Sequence, residues 1–159
     1  MTQDREPWLA WTSVDRVVHL HAEGLRQFGG ATGPPDPSDC IEGALGGAFN
    51  AEAYLEGKKH AKAGLVFCAY LLYSLVQRHC FTDGNKRVGW ASAMDALACL
   101  GLGVHATEDE AFQLVEDVIA HRVLSGEDVA KWMAPRLYAI DIVQADPPPR
   151  RRLALDGKI

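Results

Sequence analysis

Apolar positions along the chain recur mostly at helical spacing. Val14, Val17, Val18, Leu20, Leu25 and Phe28 make a stripe along one helix, which Thr12 or Ser13 can cap and Gly29-Gly30 ends. Ala31 to Pro37 holds three prolines and a glycine in seven positions, a loop composition. Ser38 or Asp39 then caps a short helix to about Ala48, with Glu42 three residues after Asp39 as a capping box requires. The pattern weakens from Phe49 to Lys59. Ala51 to Leu55 fits one helical turn and Glu56-Gly57-Lys58-Lys59 is turn-like, so a mobile loop or short hairpin is expected there.

From about His60 to Arg78 the chain is nearly all apolar, with Leu65, Val66, Phe67, Tyr70, Leu71, Leu72, Leu75 and Val76 covering every face. A helix apolar all round belongs in the centre of a bundle. After a polar turn at 79–84, a second central helix runs from about Asn85 to Leu100, and Gly101 and Gly103 stop it. Thr107-Glu108-Asp109-Glu110 is a capping box that opens a helix to about His121 with Phe112, Val115 and Ile119 inward. Ser125-Gly126-Glu127-Asp128 starts the last helix, which Pro135 interrupts or ends. No segment alternates long enough to predict a strand. The expected fold is all-α: a single-domain helical bundle over residues 12–143, with an N-terminal extension at 1–11 and a Pro/Arg-rich, disordered tail at 144–159.

At 159 residues the chain is about one domain long and buries roughly two thirds of its unfolded surface, without need of disulfides or metal. The net charge of −5 gives no reason to expect direct nucleic-acid binding. It is unevenly placed: residues 147–159 carry +3, leaving −8 on the rest. Cys40, Cys68, Cys80 and Cys99 lack C-x-x-C spacing and read as small core hydrophobes in a reducing compartment. Met1 to Pro7 is polar, so no signal peptide is visible, and the run Ala63 to Val76 is too short to span a bilayer. A soluble cytoplasmic protein with no membrane association is expected. His19 and His21 lie two apart on their helix and face different directions. His60, His105 and His121 have no ligand at metal spacing nearby, so no structural zinc is expected. Trp8, Trp11 and Trp132 read as packing anchors.

The chemistry gathers in His79-Cys80-Phe81-Thr82-Asp83-Gly84-Asn85-Lys86-Arg87. A turn that opens a helix at Gly84-Asn85-Lys86 points unpaired backbone N–H groups at one spot, where the helix dipole favours negative charge. Gly84 lets backbone approach a phosphate closely, and Lys86 and Arg87 can add charge-assisted bonds. Asp83 could hold Mg²⁺ bound to those phosphates. His79 could take a proton from an attacking hydroxyl. Together these suit phosphoryl or nucleotidyl transfer. The plainer reading is an ordinary helix start, with Asp83 an N-cap and Lys86 and Arg87 solvated. It is not a P-loop, which needs a different glycine spacing after a strand.

The stretch from His79 to Arg87 resembles the signature of the Fic/Doc family, and within it the death-on-curing (Doc) toxin branch, H-x-F-x-D-[GA]-N-K-R. Upstream, Phe28-Gly29-Gly30, Pro35-Asp36 and Cys40-Ile41-Glu42-Gly43-Ala44-Leu45 resemble the G-G…R-D…L-L-E-S-A-L pattern of Doc-like toxins, so the likeness covers about residues 13 to 133. It implies a Fic-like helical bundle. His79 would be the general base that activates a Ser or Thr hydroxyl on a target protein, and Phe81 the loop's anchor in the core. Asp83 would serve Mg²⁺ or proton placement; Gly84, Asn85, Lys86 and Arg87 would form the phosphate cradle for ATP. AMP-transferring Fic proteins carry Gly where this chain has Lys86. In the Doc branch that Lys accompanies a reversed ATP, so the γ-phosphate is transferred rather than AMP. The resemblance further implies a bacterial toxin–antitoxin setting, with a translation elongation factor as protein substrate and a small Phd-like antitoxin as partner.

The chain departs from the family pattern at several positions. Cys80 stands where many relatives have Pro; as a nucleophile beside His79 it would be poorly aimed. Trp90 replaces the second Arg of AMP transferases, and Pro35 replaces the Arg of the upstream R-D pair. Ser38-x-x-x-Glu42-Gly43 fits the inhibitory pattern of some Fic proteins as well as a plain capping box. Residues Phe49 to Lys59 fall near the flap that in Fic-like proteins pairs with an extended target segment. AMP transfer and a non-catalytic binding member of the same fold are the alternatives.

Overall fold

The computed structural model describes residues 11–33, 36–56 and 64–140. Expectations for Trp8, Pro35, His60, the end of the Phe49–Lys59 segment and the tail at 144–159 lie outside these residues. Helices α1 (Val14–Phe28), α2 (Ser38–Glu56), α3 (Leu65–Arg78) and α4 (Asn85–Cys99) come first. Strand β1 (Leu102–Val104), α5 (Glu108–Ile119), α6 (Gly126–Met133), a 3₁₀ turn (Ala134–Arg136) and β2 (Leu137–Ala139) follow. The fold is all-α, a helical bundle with a two-stranded sheet at one edge.

Helix α3 is the axis. Phe67, Leu71, Leu72, Leu75 and Val76 are fully buried, and α2, α4, α5 and α6 surround them. Burying each such side chain contributes about 1.5–3 kcal/mol. Helix α4 lies against α3 at Gly89, where a Cβ would come within 2.6 Å of Val76 Cγ2 and 3.4 Å of the Leu72 carbonyl oxygen. That missing side chain sets how closely the two helices approach. Helix α1 crosses α4 and is fastened there by a bidentate pair, Arg16 Nε and Nη2 donating to Asp95 Oδ2 and Oδ1 at 2.9 and 2.7 Å. As the spacing predicts, Ser13 caps α1 by accepting from Arg16 N at 3.0 Å, and Gly29 ends it at φ 84°. Val18, placed on the apolar stripe by spacing, is exposed instead.

Three expectations are corrected. Phe49 to Glu56 is not a loop or hairpin but the second half of α2. Phe49 packs under Trp11, and the buried Glu52 carboxylate accepts from Gly64 N and Phe67 N at 3.0 Å each, so a side chain on α2 caps the start of α3. Gly64, in the left-handed conformation, is the N-cap residue, and α3 runs from Leu65. At the other end of α2 it is Asp36, not Ser38 or Asp39, that organises the first turn, accepting from Ser38 N and Oγ at 2.9 and 2.8 Å. Finally, two short strands exist: β1 and β2 pair antiparallel with Leu102 opposite Ala139, Gly103 opposite Tyr138 and Val104 opposite Leu137.

The cysteine reading is corrected as well. Because α2 and α3 run antiparallel, Cys40 at the start of one meets Cys80 just past the end of the other. They form a disulfide with Cα atoms 5.5 Å apart. Closing 40 residues this way destabilises the unfolded chain by about 4 kcal/mol in the chain-entropy account. Cys80 is therefore no free nucleophile, and the argument for a reducing compartment falls. Burial pushes the thiols of Cys68 and Cys99 above their ordinary range, so neither replaces it. No helix among the described residues is long and apolar enough to cross a membrane.

Candidate active site

Helix α3 stops at His79, which caps it in the left-handed conformation, φ 52° and ψ 55°. A side-chain-bearing residue is rarely held there without a structural or functional reason. The ring turns back on its own helix: Nδ1–H donates to the Val76 carbonyl at 3.0 Å. That bond selects the tautomer in which Nε2 keeps its lone pair, and the residue is exposed. His79 thus presents an oriented, solvent-facing base.

The next residue is fixed covalently through Cys40, and the turn closes on an amide latch. Asn85 is 8 % exposed. Its Oδ1 accepts from Phe81 N at 3.0 Å and its Nδ2 donates to Phe81 O at 2.8 Å. Both amide atoms are thus engaged in holding the turn, and the backbone N–H of Asn85 lies at the start of α4. Gly84 precedes α4 at φ 81°, a conformation that favours glycine, and no side chain among the described residues caps the helix's first turn. The uncapped N–H groups and the positive end of α4 remain directed outward.

Asp83 is exposed, but its carboxylate is occupied by backbone: Oδ2 accepts from Ala31 N at 3.2 Å and Oδ1 from Gly84 N at 2.8 Å. Those bonds, the first from Ala31, hold its pKa below the ordinary carboxylate value, with Arg87 and His21 adding favourable charge. Lys86 and Arg87 then diverge. Lys86 Nζ sits 2.7 Å from Glu116 Oε2 on α5 and 5.7 Å from the Phe112 ring centre. Arg87 turns to α1, its guanidinium 4.8 Å from the Phe28 ring centre and its stem beside Gly24. One cation therefore stands on each flank of the α4 start. Trp90, one turn further, is 2 % exposed and meets Trp132 edge-on at 6.3 Å, so that position is core.

Sequence reasoning missed the partners rather than the motif. Glu116 and Cys40 gave no local signal, since their roles depend on side chains 30 and 40 residues away. His21 did give one: it falls on the inward stripe of α1 with Val17, Leu25 and Phe28, a polar residue in an apolar row. Its ring stacks on Phe81 at 3.7 Å and 15°, and its Nε2 is 2.6 Å from the Asp83 carbonyl oxygen.

A base that leads into a turn, a carboxylate, two flanking cations and an uncapped helix start define a site for group transfer to or from an anionic ligand. A family model described as Fic/DOC family matches residues 11–97, from the start of α1 through most of α4. The chain belongs to the Fic/DOC family, which makes a Fic-type transferase its coarse class. A search of curated proteins finds no match.

Proposed function

We propose that this transferase moves the γ-phosphate of ATP to a Ser or Thr hydroxyl of a target protein, as in the Doc branch. The observation that supports this most is the pairing of Lys86 with a buried Trp90 on α4. Lysine supplies a point charge at the helix start, and the place of a second arginine, expected for AMP transfer, is filled by core. His79 Nε2 accepts the proton of the attacking hydroxyl. The hydroxyl oxygen bonds to the γ-phosphorus while the bond to the β,γ-bridging oxygen breaks, and ADP leaves with the electron pair. Backbone N–H groups at 85–87 stabilise the transferring phosphoryl oxygens.

Lys86 can join them by leaving Glu116. The pair has side chains 43 % and 32 % exposed, and such a contact costs at most about 1 kcal/mol to break. Arg87 supplies the second charge from the α1 side. Mg²⁺ fits the chemistry of Asp83, whose lowered pKa keeps it ionised and whose oxygens each accept one backbone bond, leaving further lone pairs. When bound, the ion would neutralise phosphate charge. The proposed target is the elongation factor that brings aminoacyl-tRNA to the ribosome. The proposed partner is a small Phd-like antitoxin of a bacterial cell.

The test is incubation with purified elongation factor and ATP labelled on the α- or the γ-phosphate. Label on the target from γ-ATP alone, reduced in Lys86→Gly, is expected; label from α-ATP would replace this reading with AMP transfer. If His79→Ala inhibits bacterial growth as strongly as the parent, a binding module replaces the enzyme.

A further inference from the structure

The peptide between Asp83 and Gly84 is the most easily reversed link in the motif. Gly84 sits at φ 81°, and glycine accepts positive and negative φ alike, so rotating this one peptide plane by half a turn meets little intrinsic resistance. In a trans peptide the C=O and N–H point opposite ways. As observed, the N–H faces Asp83 Oδ1 at 2.8 Å and the carbonyl faces His21 Nε2 at 2.6 Å. A flip would put the carbonyl oxygen against the ionised carboxylate and break both of these bonds just before the start of α4.

Among the described residues, the side chain that opposes the flip from the carbonyl side belongs to α1. A carbonyl oxygen only accepts, so His21 Nε2 carries the hydrogen and donates. The same ring lies flat on Phe81, 3.7 Å between centroids and 15° between planes. It also closes over the α-carbon of Gly84, where a Cβ would be 3.4 Å from His21 Cδ2 and Nε2. One imidazole thus grips three motif residues: a ring, a carbonyl and the glycine hinge.

We propose that His21 is a positioning residue, which holds the Asp83–Gly84 peptide in its observed orientation and so fixes the turn that leads into the anion-facing start of α4. It acts through the turn and touches no reacting atom. The kinetic part of the test rests on the phosphotransferase reading; the structural part does not.

Three variants of the full chain separate the contacts. His21→Ala removes both, His21→Phe keeps the stack and loses the donor, and His21→Gln keeps a donor of similar reach and loses the stack. Amide hydrogen exchange of the ligand-free protein is read over residues 79–87, with α5 and α6 as controls. The expected result is exchange at Phe81 and Gly84, whose N–H groups are hydrogen-bonded, at least tenfold faster in His21→Ala and several-fold faster in His21→Phe, near parent rates in His21→Gln, and unchanged controls. Parent rates in His21→Ala, or acceleration spread equally through α5 and α6, would overturn the proposal.

Where the parent transfers label from γ-ATP to the elongation factor, His21→Ala should lower kcat about tenfold with KM for ATP within twofold, and His21→Gln should restore most of it. A loss carried by KM alone would make His21 a ligand contact and sink the positioning role. If the parent transfers no label, the phosphotransferase reading fails while the exchange result still decides the role of His21.

Discussion

Helix α3 and the turn that follows it are adjacent in sequence and held by opposite means. The helix is fixed by volume: Phe67, Leu71, Leu72 and Leu75 are fully buried, and no single polar contact decides its place. The turn from His79 to Gly84 is largely exposed, and a few directional bonds hold it: a disulfide, the Asn85 latch, the Asp83 carboxylate and the His21 ring. Packing tolerates local change by spreading it, whereas each bond in the turn fixes one atom pair. The site's position therefore follows from the bundle, and its conformation from a handful of named groups.

Four measurements can break or sharpen this contrast. Phe67→Ala should have the largest effect, about 4 kcal/mol by chemical denaturation, because a fully buried ring leaves a cavity. Hydrogen exchange at 83–87 should rise only in proportion to global unfolding. Opening the Cys40–Cys80 bond with a dithiol, or by Cys40→Ser, should cost about 3 kcal/mol. This is less than the chain-entropy limit because packing of α2 on α3 already constrains the reduced chain. A matched loss of order at His79 would show that the bond also serves the turn.

Asn85→Ala should cost about 1 to 2 kcal/mol by leaving both Phe81 backbone groups without their partner. It should disturb the turn well beyond that figure, read as exchange at 81–86. Glu116→Gln should change stability by less than about 1 kcal/mol, since the pair is exposed. It should strengthen ATP binding by freeing Lys86, measured by titration calorimetry; weaker binding would place Glu116 among the groups that aim Lys86.

Acid should act on the turn in a defined direction. The folded pKa of Asp83 is lowered, first by Ala31 N–H and then by Gly84 N–H. Its stabilising contribution is therefore present above the unfolded value of about 4 and fades as pH falls toward the lower folded pKa. Asp83→Asn should remove that part of the acid dependence from exchange at 83–84.

The same contrast explains what the sequence revealed. The axis was legible because an all-round apolar segment from Leu65 to Val76 has one reasonable place in a bundle. The α5 start was legible because Thr107 and Glu110 satisfy each other within one turn, Oγ1 accepting from Glu110 N at 3.1 Å and Oε1 from Thr107 N at 2.8 Å. The second half of α2 was not, because its anchor Glu52 bonds Gly64 and Phe67, 12 and 15 residues on. Each strand has three residues and forms only by meeting a partner more than 30 residues away, so no alternation could announce it. In the site, identities were readable and directions were not: Lys86 and Arg87 are neighbours in sequence, yet a carboxylate on α5 draws one and an aromatic ring on α1 the other.

The Cys40–Cys80 bond also changes the covalent topology of the chain. Everything from Ile41 to His79, including most of α2 and all of α3, lies inside a closed ring. A backbone cut anywhere in that ring leaves one molecule rather than two, with the new ends held at high effective concentration. The oxidised protein, cut once inside that ring, should thus run as a single species that separates only on reduction.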